Sequence, residues 1–153
     1  MWRLWTTSGR FLANMVDDEL YREIILEHYH HPRYKGALPD ANLTAEGMNP
    51  LCGDELTLYL KTDGDRIVEA RFDGRGCSIS QASASMLTEA IRGLTVDEAK
   101  ALLERVKAML TGSPHEPFDE DDDLSALEGV KKYPVRIKCA LLAWTTLEEI
   151  LHK

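Results

Sequence analysis

No apolar run in this 153-residue chain approaches the roughly 20 residues that a membrane-spanning helix needs. There is no basic surplus either: 18 Lys and Arg against 26 Asp and Glu leave a net charge of -8. That balance disfavours a sequence-independent grip on nucleic acid or on an anionic membrane surface, because both need a basic face. Internal repeats are absent. Cysteine is scarce, with three residues, Cys52, Cys77 and Cys139, and no CxxC pair. Three thiols cannot all pair, so a disulfide framework is excluded and reduced thiols in a cytoplasmic-type compartment are expected. What is present is ordinary globular material, 44% hydrophobic and 29% charged, long enough to bury a real core.

The first fourteen residues, MWRLWTTSGRFLAN, carry Arg3 and Arg10 and no acid. The piece is too short and too poor in arginine for an organellar targeting peptide, and it lacks the long apolar stretch of a secretory signal. We expect residues 1–16 to form a flexible extension and 17–153 a single domain. Trp2 and Trp5 receive no role.

From Asp17 the pattern becomes helical. Leu20, Ile24, Ile25 and Tyr29 recur at steps of three and four, with Tyr21 and His28 beside them. Asp17, Asp18 and Glu19 suit the positive end of the helix dipole, and Pro32 ends the helix. An irregular connection, PRYKGALPDANL, follows. Leu56, Leu58 and Leu60 alternate with polar residues, TDGD supplies a turn, and Val68, Ala70 and Phe72 alternate again, so residues 55–73 read as an antiparallel hairpin. A helix is expected from Ser78 to a cap at Gly93. Thr95 and Glu98 form a capping box for the next, which shows Leu102, Leu103, Val106 and Leu110 on one face. Residues 111–123 read as a loop ending in the acidic run DEDDD, solvated or facing a partner. A short helix over LSALEGV and a last helix opened at Pro134 complete the chain, with Trp144 and Leu147 at core positions. The order predicts an α+β fold in which a small antiparallel sheet of about three strands packs with helices.

Each cysteine stands where a thiolate is comfortable. Cys52 lies on a Pro-Leu-Cys-Gly-Asp turn, Cys77 directly precedes a helix, and Cys139 falls near Arg136 and Lys138. Against this stands the common fate of free cysteine as a small buried hydrophobe. Adding Asp54 to the three thiols gives a four-ligand set suited to zinc or to an iron–sulfur centre. Arg75, Arg136 and Lys138 are candidates to offset its negative charge. His28 and His31 are expected to be structural, since helix C-termini favour histidine.

The segments NPLCGD, GRGCSISQASASMLTEAI and YPVRIKCALLAW resemble the three cysteine segments of the U-type iron–sulfur assembly proteins, the family of IscU, SufU and the NifU N-terminal domain. The resemblance runs from about Asp17 to the C-terminus. Lys138 stands where IscU-type members have histidine, and an insertion at about residues 111–129 precedes the last helix; both features, with Arg136, resemble the SufU subtype. The resemblance implies a zinc-dependent sulfurtransferase that takes persulfide sulfur from a SufS-like cysteine desulfurase and passes it to downstream iron–sulfur assembly proteins. It implies zinc held by Cys52, Asp54, Cys77 and Cys139, with Cys52 as the sulfur acceptor. The Arg136 guanidinium, beside the third ligand, is expected to neutralise the site and steer a persulfide or a partner carboxylate. The alternatives are a scaffold that builds an iron–sulfur cluster on the same ligands and a structural zinc module.

Overall fold

The structure, a computed structural model, describes residues 21–152. The expected extension over 1–16 and the expected helix start at Asp17 lie outside the described residues. Helix α1 is seen over residues 21–30. It is followed by strands β1 (Leu43–Asn49), β2 (Asp54–Asp63) and β3 (Arg66–Arg75), and then by α2 (Ser78–Ile91) and α3 (Val96–Thr111). A 3-10 segment (Asp123–Lys132) leads into α4 (Pro134–Leu151). The α+β expectation holds: the three strands form one antiparallel sheet in the order β1-β2-β3.

The sheet is half-buried, so its sequence alternates. Ala45, Leu58 and Phe72 lie in one cross-strand row, Leu60 and Ala70 in the next, and all are buried beneath the helices. Two strand expectations need correction. The irregular connection was expected to reach Leu43, yet β1 begins there; its sequence LTAEGMN offers one buried apolar residue, Ala45, and so little alternation to read. Val68 was grouped with Ala70 and Phe72, but it is 44% exposed and Ile67 is buried instead. A register shift between Lys61 and Thr62 changes the parity of that end of the hairpin.

The helices close over the sheet by specific contacts. The Trp144 indole donates to Ser83 Oγ at 3.0 Å, and the Ser83 hydroxyl donates to the Ala140 carbonyl at 2.7 Å, tying α2 to α4. The capping box of α3 is present in full, Thr95 with Glu98. In α1 the inward stripe is Ile24, Ile25 and His28, while Tyr29 is exposed. His28 is fully buried between Ser85 Oγ, at 2.8 Å from Nδ1, and Asp123 Oδ2, at 2.6 Å from Nε2. The acidic run is therefore not wholly solvated: Asp123 anchors on His28, and Asp122 accepts the Leu124 N–H to open the 3-10 segment.

One glycine sets the distance between β1 and α4. A Cβ on Gly47 would strike the Thr146 hydroxyl and come within 3.1 Å of Leu142 Cδ1. Gly47→Val should therefore cost roughly 1–3 kcal/mol by overpacking, read as a lower urea midpoint with an unchanged slope. A wild-type midpoint would mean that α4 does not rest on β1 in this way.

Candidate metal centre

The sheet and two helix starts converge at one end of the molecule. Asn49 pairs with Asp54 across the β1–β2 connection, which leaves Pro50–Gly53 as a four-residue loop. Cys52 stands on that loop, half-buried, with its N–H donating to the Asn49 carbonyl at 3.3 Å. Gly53 adopts φ 68°, a left-handed conformation that glycine enters without a Cβ penalty. Leu51 beside it is 77% exposed. The loop carries little packing of its own.

Asp54 is the opposite case. It opens β2 and its exposure is 0%. Its Oδ1 accepts the Cys77 N–H at 2.8 Å, while Oδ2 lies 3.9 Å from Cys77 Sγ. A buried carboxylate needs such partners to stay charged at all. Gly76 makes the approach possible: its φ is 154°, and a Cβ there would strike Asp54 Oδ1.

Cys77 is the N-cap of α2, where an acceptor is wanted. Its Sγ accepts the Ser80 N–H at 3.5 Å, as a serine or aspartate oxygen would at this position. Both this N–H and the positive end of the helix dipole are directed at the sulfur.

Cys139 arrives from the second turn of α4, fully buried, with its Sγ 3.0 Å from Cys52 Sγ and 3.7 Å from Asn49 Nδ2. Donor atoms of Cys52, Asp54 and Cys139 all lie within 4.8 Å of one another, and Cys77 joins them through Asp54. Burial, ahead of hydrogen bonding to Cys52 and Cys77, pushes the Cys139 thiol well above its ordinary value of 9.0.

Arg136, one turn before Cys139 and exposed, is held more firmly protonated, chiefly by hydrogen bonding to Cys139. Arg75 does not share this role, because its guanidinium pairs with Glu55 at 3.1 Å. Lys138 is exposed on α4. His31 is exposed at the end of α1, and His28 serves the packing contact described above. Asn49 was not singled out in the sequence; an asparagine closing a strand before proline is a weak signal, and only the fold brings it to Cys139.

The donor set fits a tetrahedral thiophilic ion. Four ligands at about 2.3 Å for sulfur would place sulfurs about 3.8 Å apart. The Cys52–Cys139 pair, at 3.0 Å, is closer than that but well outside disulfide length. Opening it requires a shift of under about 1 Å on the side of the loop residue Cys52.

Residues 20–140 match the model of the NifU-like N terminal domain. The chain belongs to that family. Among NifU-like relatives, it is 45% identical over 143 residues to the zinc-dependent sulfurtransferase SufU of Bacillus subtilis strain 168, covering 94% of this chain and 95% of that protein. It is 43% identical over 141 residues to the iron–sulfur cluster assembly scaffold protein IscU of Thermotoga maritima, covering 91% and 97%. The fold matches an iron–sulfur cluster assembly scaffold protein for the SUF system from Fervidobacterium islandicum AW-1 with a TM-score of 0.78 at 40% identity, over 84% of this chain and 94% of that one. It also matches the N-terminal part of a NifU-like protein from Brucella abortus, with a TM-score of 0.78 at 27% identity, over 90% and 95%.

Two tests follow. Gly76→Ala should displace the Asp54 carboxylate and weaken zinc binding by about 10- to 100-fold, as loss of an outer-shell support typically does; the fold should survive, read by circular dichroism beside competitive zinc titration. Unchanged affinity would mean that Asp54 does not depend on the Gly76 cradle. The metal-free chain should also lose stability with pH. The folded-state value of Cys139 is raised above 9.0, so its contribution is present below 9.0 and lost as pH climbs above it. A urea midpoint that stays level beyond pH 9.0 would contradict the burial of this thiol.

Proposed function

We propose that this chain is a zinc-dependent sulfurtransferase of iron–sulfur cluster assembly, accepting persulfide sulfur from a cysteine desulfurase on Cys52. The single observation that carries this reading is the unequal anchoring of the four donors. Asp54 and Cys139 are buried and Cys77 is fixed as a helix cap, whereas Cys52 rides on a short loop beside the exposed Leu51. Three donors hold and one can leave.

Zinc at Cys52, Asp54, Cys77 and Cys139 would keep the thiols deprotonated and closed to oxidation. Once displaced, the Cys52 thiolate attacks the terminal sulfur of the desulfurase persulfide. A new sulfur–sulfur bond forms on Cys52, the old one breaks, and the desulfurase cysteine leaves as thiolate. The Arg136 guanidinium, exposed at the rim, is placed to steady the anionic sulfur during that exchange. The surroundings suit a protein partner: Met48, Leu51, Tyr133 and Val135 are 65%, 77%, 53% and 69% exposed, close in sequence to Asn49, Cys52 and Arg136. Apolar side chains left in water at such a density mark an interaction face.

A second reading, a scaffold that builds an iron–sulfur cluster on the same four ligands for downstream assembly proteins, is favoured by the likeness to IscU of Thermotoga maritima. Colour distinguishes the two, since a zinc protein is colourless and a cluster-loaded one is brown after anaerobic purification.

The deciding experiment incubates the protein with desulfurase and cysteine, traps persulfides by alkylation and maps them by mass spectrometry. Sulfur is expected on Cys52. Cys52→Ser should abolish both the persulfide and any stimulation of the desulfurase, because a neutral hydroxyl is a far weaker nucleophile than a thiolate. Arg136→Ala should keep its zinc and lose roughly tenfold or more in sulfur acceptance, the scale of one charge-assisted contact. Sulfur on Cys77 or Cys139 with Cys52 unmodified would overturn the assignment.

A further inference from the structure

Away from the cysteines, the second half of α2, the start of α3 and the acidic segment line an open cavity of about 520 Å³. That is the size of an ordinary ligand or anchor pocket. Its floor is apolar, formed by Leu94, Leu102, Phe118 and Leu124. Its rim carries five carboxylates: Glu89, Glu98, Asp121, Asp122 and Asp123.

The positive charges near this rim are already committed. Arg105, the one cation lining the cavity among the described residues, lies over the Phe118 ring at 3.7 Å and donates to the carbonyls of Glu116 and Pro117. Arg33 reaches Glu89 at 3.5 Å from the side. The rim acids use part of their capacity internally: Glu98 accepts the Thr95 N–H, Asp122 caps the 3-10 segment, and Asp123 binds His28. Each carboxylate has a second oxygen, and Asp121 is exposed. Arg66, whose charge acts on Glu98, donates to the Gly93 carbonyl at 2.6 Å, and the cavity lining itself has five carboxylates against Arg105.

A bare metal ion would use the rim and ignore the floor. His28, Glu89 and Asp123 do place donors within 4.8 Å of one another, but the outward nitrogen of His28 is engaged by Asp123 at 2.6 Å. A small anion is excluded by charge. What uses both features is a cationic amphiphile with an apolar side chain on the floor and Lys or Arg against the rim.

We propose that this cavity is a second docking site, one that takes a basic amphipathic segment of a partner protein. Met86, Glu89 and Ala90 on its wall lie 9, 12 and 13 residues along α2 from Cys77, a rise of about 14–20 Å at 1.5 Å per residue. The inference stands apart from the sulfur-transfer reading, because it uses none of the metal-centre residues.

The test is a ¹H–¹⁵N titration of the full, zinc-loaded chain with a synthetic helical peptide of leucine and lysine, at near-physiological salt. Shifts should concentrate at Ala90, Leu94, Leu102, Phe118 and Asp121, and a peptide with glutamate in place of lysine should give none. Leu102→Asp should weaken binding at least tenfold; so should Asp121→Lys, an exposed change that leaves the floor intact. Shifts spread evenly over the acidic surface would overturn the proposal, as would full binding by Asp121→Lys. The same shifts produced by magnesium chloride alone would make the cavity a cation site and also refute it. No shift at millimolar peptide would remove the docking site altogether.

Discussion

The hydrogen bond from the Cys77 amide to the buried carboxylate of Asp54, at 2.8 Å, joins the start of the sheet's central strand to the start of α2. Without it, a fully buried carboxyl oxygen would be left without a hydrogen-bond partner, at a cost of about 1–3 kcal/mol. With it, one carboxylate oxygen is occupied by the backbone and the other is left facing the sulfurs. The interaction demands a residue without a side chain at position 76, and the chain has glycine there. Strand register brings Asn49 opposite Asp54, which in turn fixes the two ends of the loop that carries Cys52. The centre is thus a consequence of how the sheet ends.

Its four donors differ in how firmly they are held. Cys139 is placed by α4, whose position depends on the close contact of Gly47 with Thr146 and on the Trp144–Ser83–Ala140 relay. Cys77 is placed by capping. Neither can move without disturbing a helix. Cys52 rides on a loop instead, beside a Gly53 that adopts a left-handed conformation and whose Cβ position faces open space. An exposed Arg136 at the same end adds a positive charge that no buried residue could carry cheaply.

Much of this was legible in the sequence, for identifiable reasons. Helix signals with local chemistry, such as the Thr95–Glu98 box and Pro134 at the head of α4, survive folding because they depend on neighbours three or four residues away. The three cysteine segments and Asp54 stood out by residue type and turn context, and the fold brings them to one end. What escaped was non-local. Strand β1 has little alternation and is defined by its pairing with β2; Val68 is the extra residue of β3, skipped where Lys61 pairs with Glu69 and Thr62 with Ile67, so the alternation breaks there. His28 looked like a helix-end residue until Ser85 and Asp123 closed around it from 57 and 95 positions away.

The central claim is that three sulfurs and one carboxylate oxygen hold zinc and that Cys52 is the sulfur that lets go. X-ray absorption at the zinc edge, taken on the protein alone and again in complex with the desulfurase, measures this directly. The account predicts three sulfur neighbours at about 2.3 Å and one oxygen at about 2.0–2.2 Å in the free protein. In the complex it predicts two sulfurs, with the zinc retained. Three sulfurs unchanged in a complex that still transfers sulfur, or fewer than three in the free protein, would contradict it.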